Sequence, residues 1–137
     1  MRLSRASAIA VFAVTRLAET EGSGPRQGRD LAQELGVPAD SLLKVLQQLV
    51  RARVLASSRG RTGGFRLTKL PEEITLLVVI EAVDGTLDGR LSSTSDIRGM
   101  ARTKAGIHSA FEETVRSIRS QLGKKTIRDL MTPPPSA

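Results

Sequence analysis

The chain has no cysteine, tryptophan or tyrosine, and its 137 residues include only three phenylalanines and one histidine. Without cysteine, disulfides are excluded, and so are thiolate metal ligation and thiol redox chemistry. An aromatic content of 2% leaves few rings for base stacking, which disfavours a binder of single-stranded nucleic acid. No apolar run approaches the roughly 20 residues of a transmembrane helix. The nearest imitation of a secretory leader is Arg2 and Arg5 followed by Ala8 to Val14, but Thr15-Arg16 ends that run early. An amphipathic helix from Leu3 to Glu21, with Ile9, Phe12, Ala13, Arg16 and Leu17 in a core pattern, explains the segment better. A cytoplasmic protein without a membrane partner is expected.

Catalytic groupings are also missing. Glu72 and Glu73 are adjacent and face different ways, as do Glu112 and Glu113, and the serine-rich stretch near residue 93 has no histidine-carboxylate arrangement beside it. The glycine-rich segment Arg59 to Gly64 lacks the Gly-Lys-Ser/Thr ending of a nucleotide phosphate loop. An enzyme is not expected, and no cofactor or metal site is called for.

What is present is positive charge, and it is unevenly placed. The formal net charge is +7. Residues 1–70 hold 12 Lys and Arg against 5 Asp and Glu, whereas residues 71–137 hold 9 of each. The excess therefore lies wholly in the first half, as a phosphate-facing module requires. Lysines and arginines that merely solvate helix faces are the competing explanation, but the local pattern argues against it. Leu31, Ala32 and Leu35 share one helix face, Gly36 supplies the stop, and Val37-Pro38 cannot continue that helix. A second helix is expected from about Ala39, with Asp40 or Ser41 accepting from its free N–H groups. In it Leu42, Val45, Leu46, Leu49 and Val50 repeat at three and four residues, leaving Ser41, Lys44, Gln47, Gln48 and Arg51 on the other faces. Val54 to Ser58 and Phe65 to Thr68 then form two short strands around the Arg59 to Gly64 turn. Helix, sharp turn, helix and hairpin make a winged helix-turn-helix in a mainly α chain.

The recognition face expected to meet the major groove is Ser41 and Lys44, with Asp40, Gln47, Gln48 and Arg51 beside them. Arg2, Arg5, Arg26 and Gln27, together with Arg59, Arg61, Thr62, Gly63 and Gly64 of the wing, are expected to meet the DNA backbone, and Arg61 can enter a minor groove. Further along, Ile74 to Val83 suits strand or helix by β-branched content, and Thr75 as cap with Gly85 at the end favours a buried helix. Thr86 to Gly99 reads as a loop, with room for a short helix after it. Ala105 to Leu122 is a long helix whose stripe Ile107, Ala110, Phe111, Val115, Ile118 and Leu122 needs a partner surface, here a second copy of the chain. Thr126 caps a short final helix, and Pro133 to Ala137 is an extended tail expected to be disordered. The resulting division is a DNA-binding domain over 1–84, a sensor-like connection over 85–104, the dimerisation and final helices over 105–131, and the tail over 132–137.

Several segments carry a resemblance to a known family. Met1-Arg2-Leu3-Ser4, the wing Arg59-Gly60-x-x-Gly63-Gly64-Phe65-Arg66-Leu67, Pro71-Glu72-Glu73-Ile74-Thr75-Leu76, and Ile80-Glu81-Ala82-Val83-Asp84-Gly85 occur in that order. Together they resemble the Rrf-two family of bacterial winged-helix regulators, some of which sense iron-sulfur clusters. The resemblance covers Met1 to about Met131 and implies a homodimer joined through the long helix on an imperfect palindrome of double-stranded promoter DNA. A repressor is expected, although the sequence does not separate repression from activation, and any small-molecule effector is left unknown. Cluster-binding relatives place three cysteines in the connection and at the start of the long helix. Here that region offers Ser92, Ser93, Thr94, Ser95 and Gly99, Ala105 stands at the last cysteine position, and Ala8 stands where some relatives have an acidic ligand. His108 alone cannot hold a metal, so a cluster-free member is expected. Relatives with Tyr-Leu-Glu-Gln at the recognition helix differ from Ser41-Leu42-Leu43-Lys44 here, so no operator sequence carries over. Two alternatives share the fold: a nucleic-acid binder indifferent to sequence, and a protein-interaction module that has lost its operator.

Overall fold

A computed structural model describes residues 2–90 and 93–131; the tail expected from Pro133 onward lies outside the described residues. The elements in order are α1 (Arg5–Glu19), α2 (Gly28–Leu35), α3 (Ala39–Arg51), β1 (Leu55–Ser58), β2 (Gly64–Leu67), α4 (Leu76–Asp84), α5 (Ala101–Lys124) and α6 (Ile127–Leu130), with single 3-10 turns at Glu21–Ser23 and Pro71–Glu73. The winged helix-turn-helix expected between Leu31 and Leu67 is present.

Its turn follows the local chemistry. Gly36 adopts φ 70, ψ 31, and its N–H closes the end of α2. Pro38 then opens α3, but neither Asp40 nor Ser41 caps it, since no side chain bonds to the first N–H groups of that helix. Leu42, Val45, Leu46 and Leu49 are buried, joining Leu31 and Ala32 of α2 and Ala10, Ala13, Val14 and Leu17 of α1 in one core. β1 and β2 pair antiparallel with Leu55 opposite Leu67 and Ser58 opposite Gly64. Arg26 and Phe65 exchange backbone hydrogen bonds of 3.0 and 2.7 Å, so the chain leading into α2 acts as a third edge for the wing.

Four expectations need correction. α1 runs from Arg5 to Glu19 rather than Leu3 to Glu21, because Ser4 caps its start and the backbone turns away beyond Thr20. Phe12 is 67% exposed rather than in the core. The buried face of α1 centres on Ala10, Ala13, Val14 and Leu17, and at about 100° per residue Phe12 falls on the opposite side. Among the described residues no short helix precedes α5, which starts at Ala101, four residues before the expected Ala105. α4 forms with the Thr75 cap and Gly85 stop as read, although only Val79 and Ile80 are buried and Val78 is 46% exposed.

The carboxyl end returns to the first domain. Ile127 is fully buried in the core, the Ile127 N–H donates to the Ile74 carbonyl at 2.8 Å, and the Leu76 N–H donates to the Lys125 carbonyl at 2.9 Å. Burying that one side chain is worth about 1.5–3 kcal/mol. α6 thus pins the end of α5 to the winged domain. Between these anchors α5 has no buried residue: Ile107 and Phe111 are exposed, while Val115, Ile118 and Leu122 are half-buried on the length that runs beside α4.

Candidate nucleic-acid interface

The outer face of α3 carries Ser41, Lys44, Gln47 and Arg51 exposed and Gln48 half-buried. Because Leu42, Val45, Leu46 and Leu49 of α3 turn into the core, its polar residues are left to solvent together, with Leu43 exposed among them. They line an open groove of about 480 Å³ whose other wall is Arg5, Ala6 and Ile9 of α1. On α3 alone, four nitrogen-bearing side chains and one hydroxyl in this groove provide donors for base acceptors and phosphate oxygens. Asp40, also exposed, sits in the first turn of α3, where the helix dipole favours a carboxylate.

The wing supplies the second positive region. Arg59, Arg61 and Thr62 are exposed around its turn, and the Gln27 amide at the start of α2 donates to the Arg61 carbonyl at 3.2 Å. Gln27 therefore holds the wing tip beside α2. The two glycines shape the wing from inside: Gly63 is buried, and a Cβ on it would lie 2.3 Å from the Ser58 carbonyl oxygen. Gly64 has φ +137, and a Cβ there would lie 2.3 Å from the Arg26 carbonyl oxygen. The sequence pattern makes both of them DNA contacts; the structure gives them the close approach that seats the wing.

Arg26 is another expected phosphate contact. Its side chain is 19% exposed and bonds to the Glu34 carboxylate, with a further hydrogen bond of 2.9 Å to the Thr20 hydroxyl. Arg16 of α1 reaches the same carboxylate. The Glu34 carboxyl is held below its usual pKa range by the Arg26 hydrogen bond first and by Arg16 second. Arg26 thus braces α1 against α2. Of the expected arginines, Arg2, Arg5, Arg59 and Arg61 remain on the outside of the molecule, with Arg5 at the groove wall.

A feature that the sequence does not announce lies at the start of α1. The Ser4 hydroxyl accepts from the Ser7 N–H as helix cap and donates to the Asp84 carboxylate at 2.7 Å. The Ser7 hydroxyl, fully buried, donates to the same carboxylate at 2.6 Å. The only sequence signal is a serine before a helix start; its partner lies 80 residues away. One turn earlier on α4, Glu81 accepts from Arg119 of α5 and, at 2.7 Å, from the Leu87 N–H.

A basic recognition helix over a three-helix core, with an arginine-bearing wing at its side, defines a winged helix-turn-helix DNA-binding protein. Similarity to known proteins narrows the class. Residues 3–133 match the model of the Rrf2 family, described as an iron-dependent transcriptional regulator. This chain belongs to the Rrf2 family of transcriptional regulators, not to an enzyme family. BadM of Rhodopseudomonas palustris, classed as an HTH-type transcriptional regulator, is 32% identical over 122 residues, covering 86% of this chain and 78% of BadM. The HTH-type transcriptional repressor NsrR of Streptomyces coelicolor is 27% identical over 138 residues, covering 98% and 90%. Among solved structures, the global cysteine regulator CymR of B. subtilis superposes with a TM-score of 0.74 over 95% of both chains at 22% identity, which establishes likeness of fold.

The iron in the family description finds no matching ligands here. The chain has no cysteine, and among the described residues no three His, Cys, Asp or Glu side chains converge as a metal site. His108 Nε2 lies 3.1 Å from a Glu112 carboxylate oxygen. In the connection the Lys104 ammonium donates to the backbone carbonyls of Ile97 and Thr94. Lys104 brings a cationic group rather than a thiolate or carboxylate ligand to that turn, and the residues present do not fit an iron-sulfur centre.

Proposed function

We propose that the protein acts in the cytoplasm as a homodimeric, sequence-specific repressor that binds palindromic promoter sites without an iron-sulfur cluster. The observation that carries this reading is the groove in which Ser41, Lys44, Gln47, Gln48 and Arg51 of α3 face Arg5 of α1, with Arg59 and Arg61 exposed on the wing that follows α3. A recognition helix in the major groove reads bases through such a face, while flanking arginines supply the salt-dependent part of the affinity. Dimerisation is supported by α5, where Ile107 is 43% and Phe111 50% exposed on a stripe that continues through Ala110 to Val115, Ile118 and Leu122. An apolar stripe left open on a 24-residue helix is a surface that a second copy can close symmetrically. Repression is the reading that the name of the Streptomyces coelicolor relative supports.

The test is selection of bound fragments from the genome that encodes the protein, followed by sequencing. Enrichment of a two-fold symmetric motif upstream of genes is the expected result. Enrichment that tracks base composition alone would instead make the protein a binder indifferent to sequence.

A further inference from the structure

We propose that Asp84 is a positioning residue for DNA binding: it clamps the first turn of α1 and thereby places Arg2 and Arg5 against the duplex. The proposal rests on the DNA-binding reading above and assigns it a residue outside the recognition face. Asp84 is the last residue of α4. One of its carboxylate oxygens takes the Ser4 hydroxyl at 2.7 Å, and the other takes the Ser7 hydroxyl at 2.6 Å. Such short hydrogen bonds to an ionised acceptor are roughly twice as strong as neutral ones. The Ser7 side chain is fully buried, so its hydroxyl needs that acceptor. Ser4 is simultaneously the cap of α1, which makes the cap itself part of the clamp. The carboxylate also lies beside the free N–H groups at the start of α1, where the helix dipole favours negative charge.

Arg5 opens α1 and lines the recognition groove, and Arg2 lies three residues before it. Among the described residues, no hydrogen bond or ion pair ties either arginine's side chain to an acidic partner that would aim it elsewhere. Their direction follows from where the first turn of α1 sits, and Asp84 is the side chain from another element that ties that turn down. The same short helix end is also tied to α5, since Glu81 accepts from Arg119 of α5 and from the Leu87 N–H. α4 therefore relates the placement of α5 to the placement of the two arginines, with Asp84 as the contact to the DNA-facing side.

The experiment measures affinity for a duplex recovered from the genomic selection across a salt series, in the full-length protein. Asp84→Asn keeps the shape but removes the ionised acceptor, and it is compared in the wild-type background and in an Arg2→Ala/Arg5→Ala background. The expected result is a three- to tenfold loss in the wild-type background, with the slope of log affinity against log salt falling by roughly one to two, about 0.9 for each phosphate that an arginine no longer neutralises. In the double-alanine background the same change should cost less than twofold. Ser4→Ala, which leaves the buried Ser7 bond intact, should give the same non-additive pattern in smaller degree and serves if Asp84→Asn fails to fold. Equal losses in both backgrounds, or an unchanged salt slope, would overturn the positioning role. Wild-type protein that binds no genomic duplex would overturn the DNA-binding reading itself, an outcome visible before any variant is made.

Discussion

At the scale of single residues the proposed interface predicts groups that read bases and groups that hold the backbone. Lys44 lies on the exposed face of α3, and on the proposed reading it meets guanine acceptors, so Lys44→Ala should cost about 1–3 kcal/mol on the preferred site and relax base preference there. Arg59 is exposed on the wing turn, and Arg59→Ala should weaken all sequences alike and reduce the salt slope by about one. Identical effects of the two changes in a binding-selection assay would contradict this division. Arg26 shows the limit of reading charge from sequence: an arginine before a helix start looks free for phosphate, yet Glu34, eight residues on, takes it. Glu34 gives a pH test. Its pKa is lowered on folding, so its contribution is full above the usual carboxylate range and is lost as pH falls through that range toward the lowered value. Glu34→Gln should therefore lower Tm at pH 7 and differ progressively less from wild type as the pH is taken below about 4. A gap that stays constant with pH would show that the carboxylate charge is not what braces α1 to α2.

At the scale of elements, the turns are the most legible parts. Gly36-Val37-Pro38 forces one helix to stop and the next to start, and Gly63-Gly64 between short apolar runs forces a hairpin; these effects act within a few residues, where sequence is decisive. Gly64→Ala would bring a Cβ to 2.3 Å from the Arg26 carbonyl at φ +137. It should destabilise the fold by about 2–4 kcal/mol, mostly by unseating the wing, as denaturant unfolding would measure. Arg53 is the opposite case, a non-glycine at φ 63 between α3 and β1 whose carbonyl accepts from Thr68 at 2.6 Å. Arg53→Gly should relieve up to about 1 kcal/mol, and a lower Tm in that variant would show that the side chain contributes more than its backbone conformation costs. The phase of α1 is not legible, because Ile9, Val11, Phe12 and Val14 put apolar side chains on every side of the helix and only packing against α3 and α4 selects among them. The start of α5 escapes for a different reason. Met100 stands at its cap in a left-handed conformation without a side-chain bond, so no serine, threonine or aspartate marks the boundary.

At the scale of the whole molecule, the attachment of the carboxyl-terminal helices to the rest of the chain is not legible. Thr126 announces a helix start, yet nothing local says that Ile127 is buried in the first domain, nor that Asp84 bonds to Ser4 and Ser7. Such pairings across most of the chain depend on the completed fold. With α5 tied to α4 through Arg119 and to the core through α6, its open stripe is held in a fixed direction suited to a symmetric partner. Phe111→Asp would bury a charge in that interface, so sedimentation should show monomer in place of dimer, with DNA affinity falling by at least about tenfold because the two half-sites are no longer tied together. An unchanged dimer would remove the stripe from the interface. The most direct measurement of the central claim is a hydroxyl-radical footprint on a selected promoter fragment, made with protein treated with an iron chelator. The result expected is two protected tracts on one face of the duplex, about 10 base pairs centre to centre, each reached by one recognition helix and one wing. Protection spread evenly along the fragment, or protection that appears only when iron is restored, would contradict a cluster-free, sequence-reading dimer.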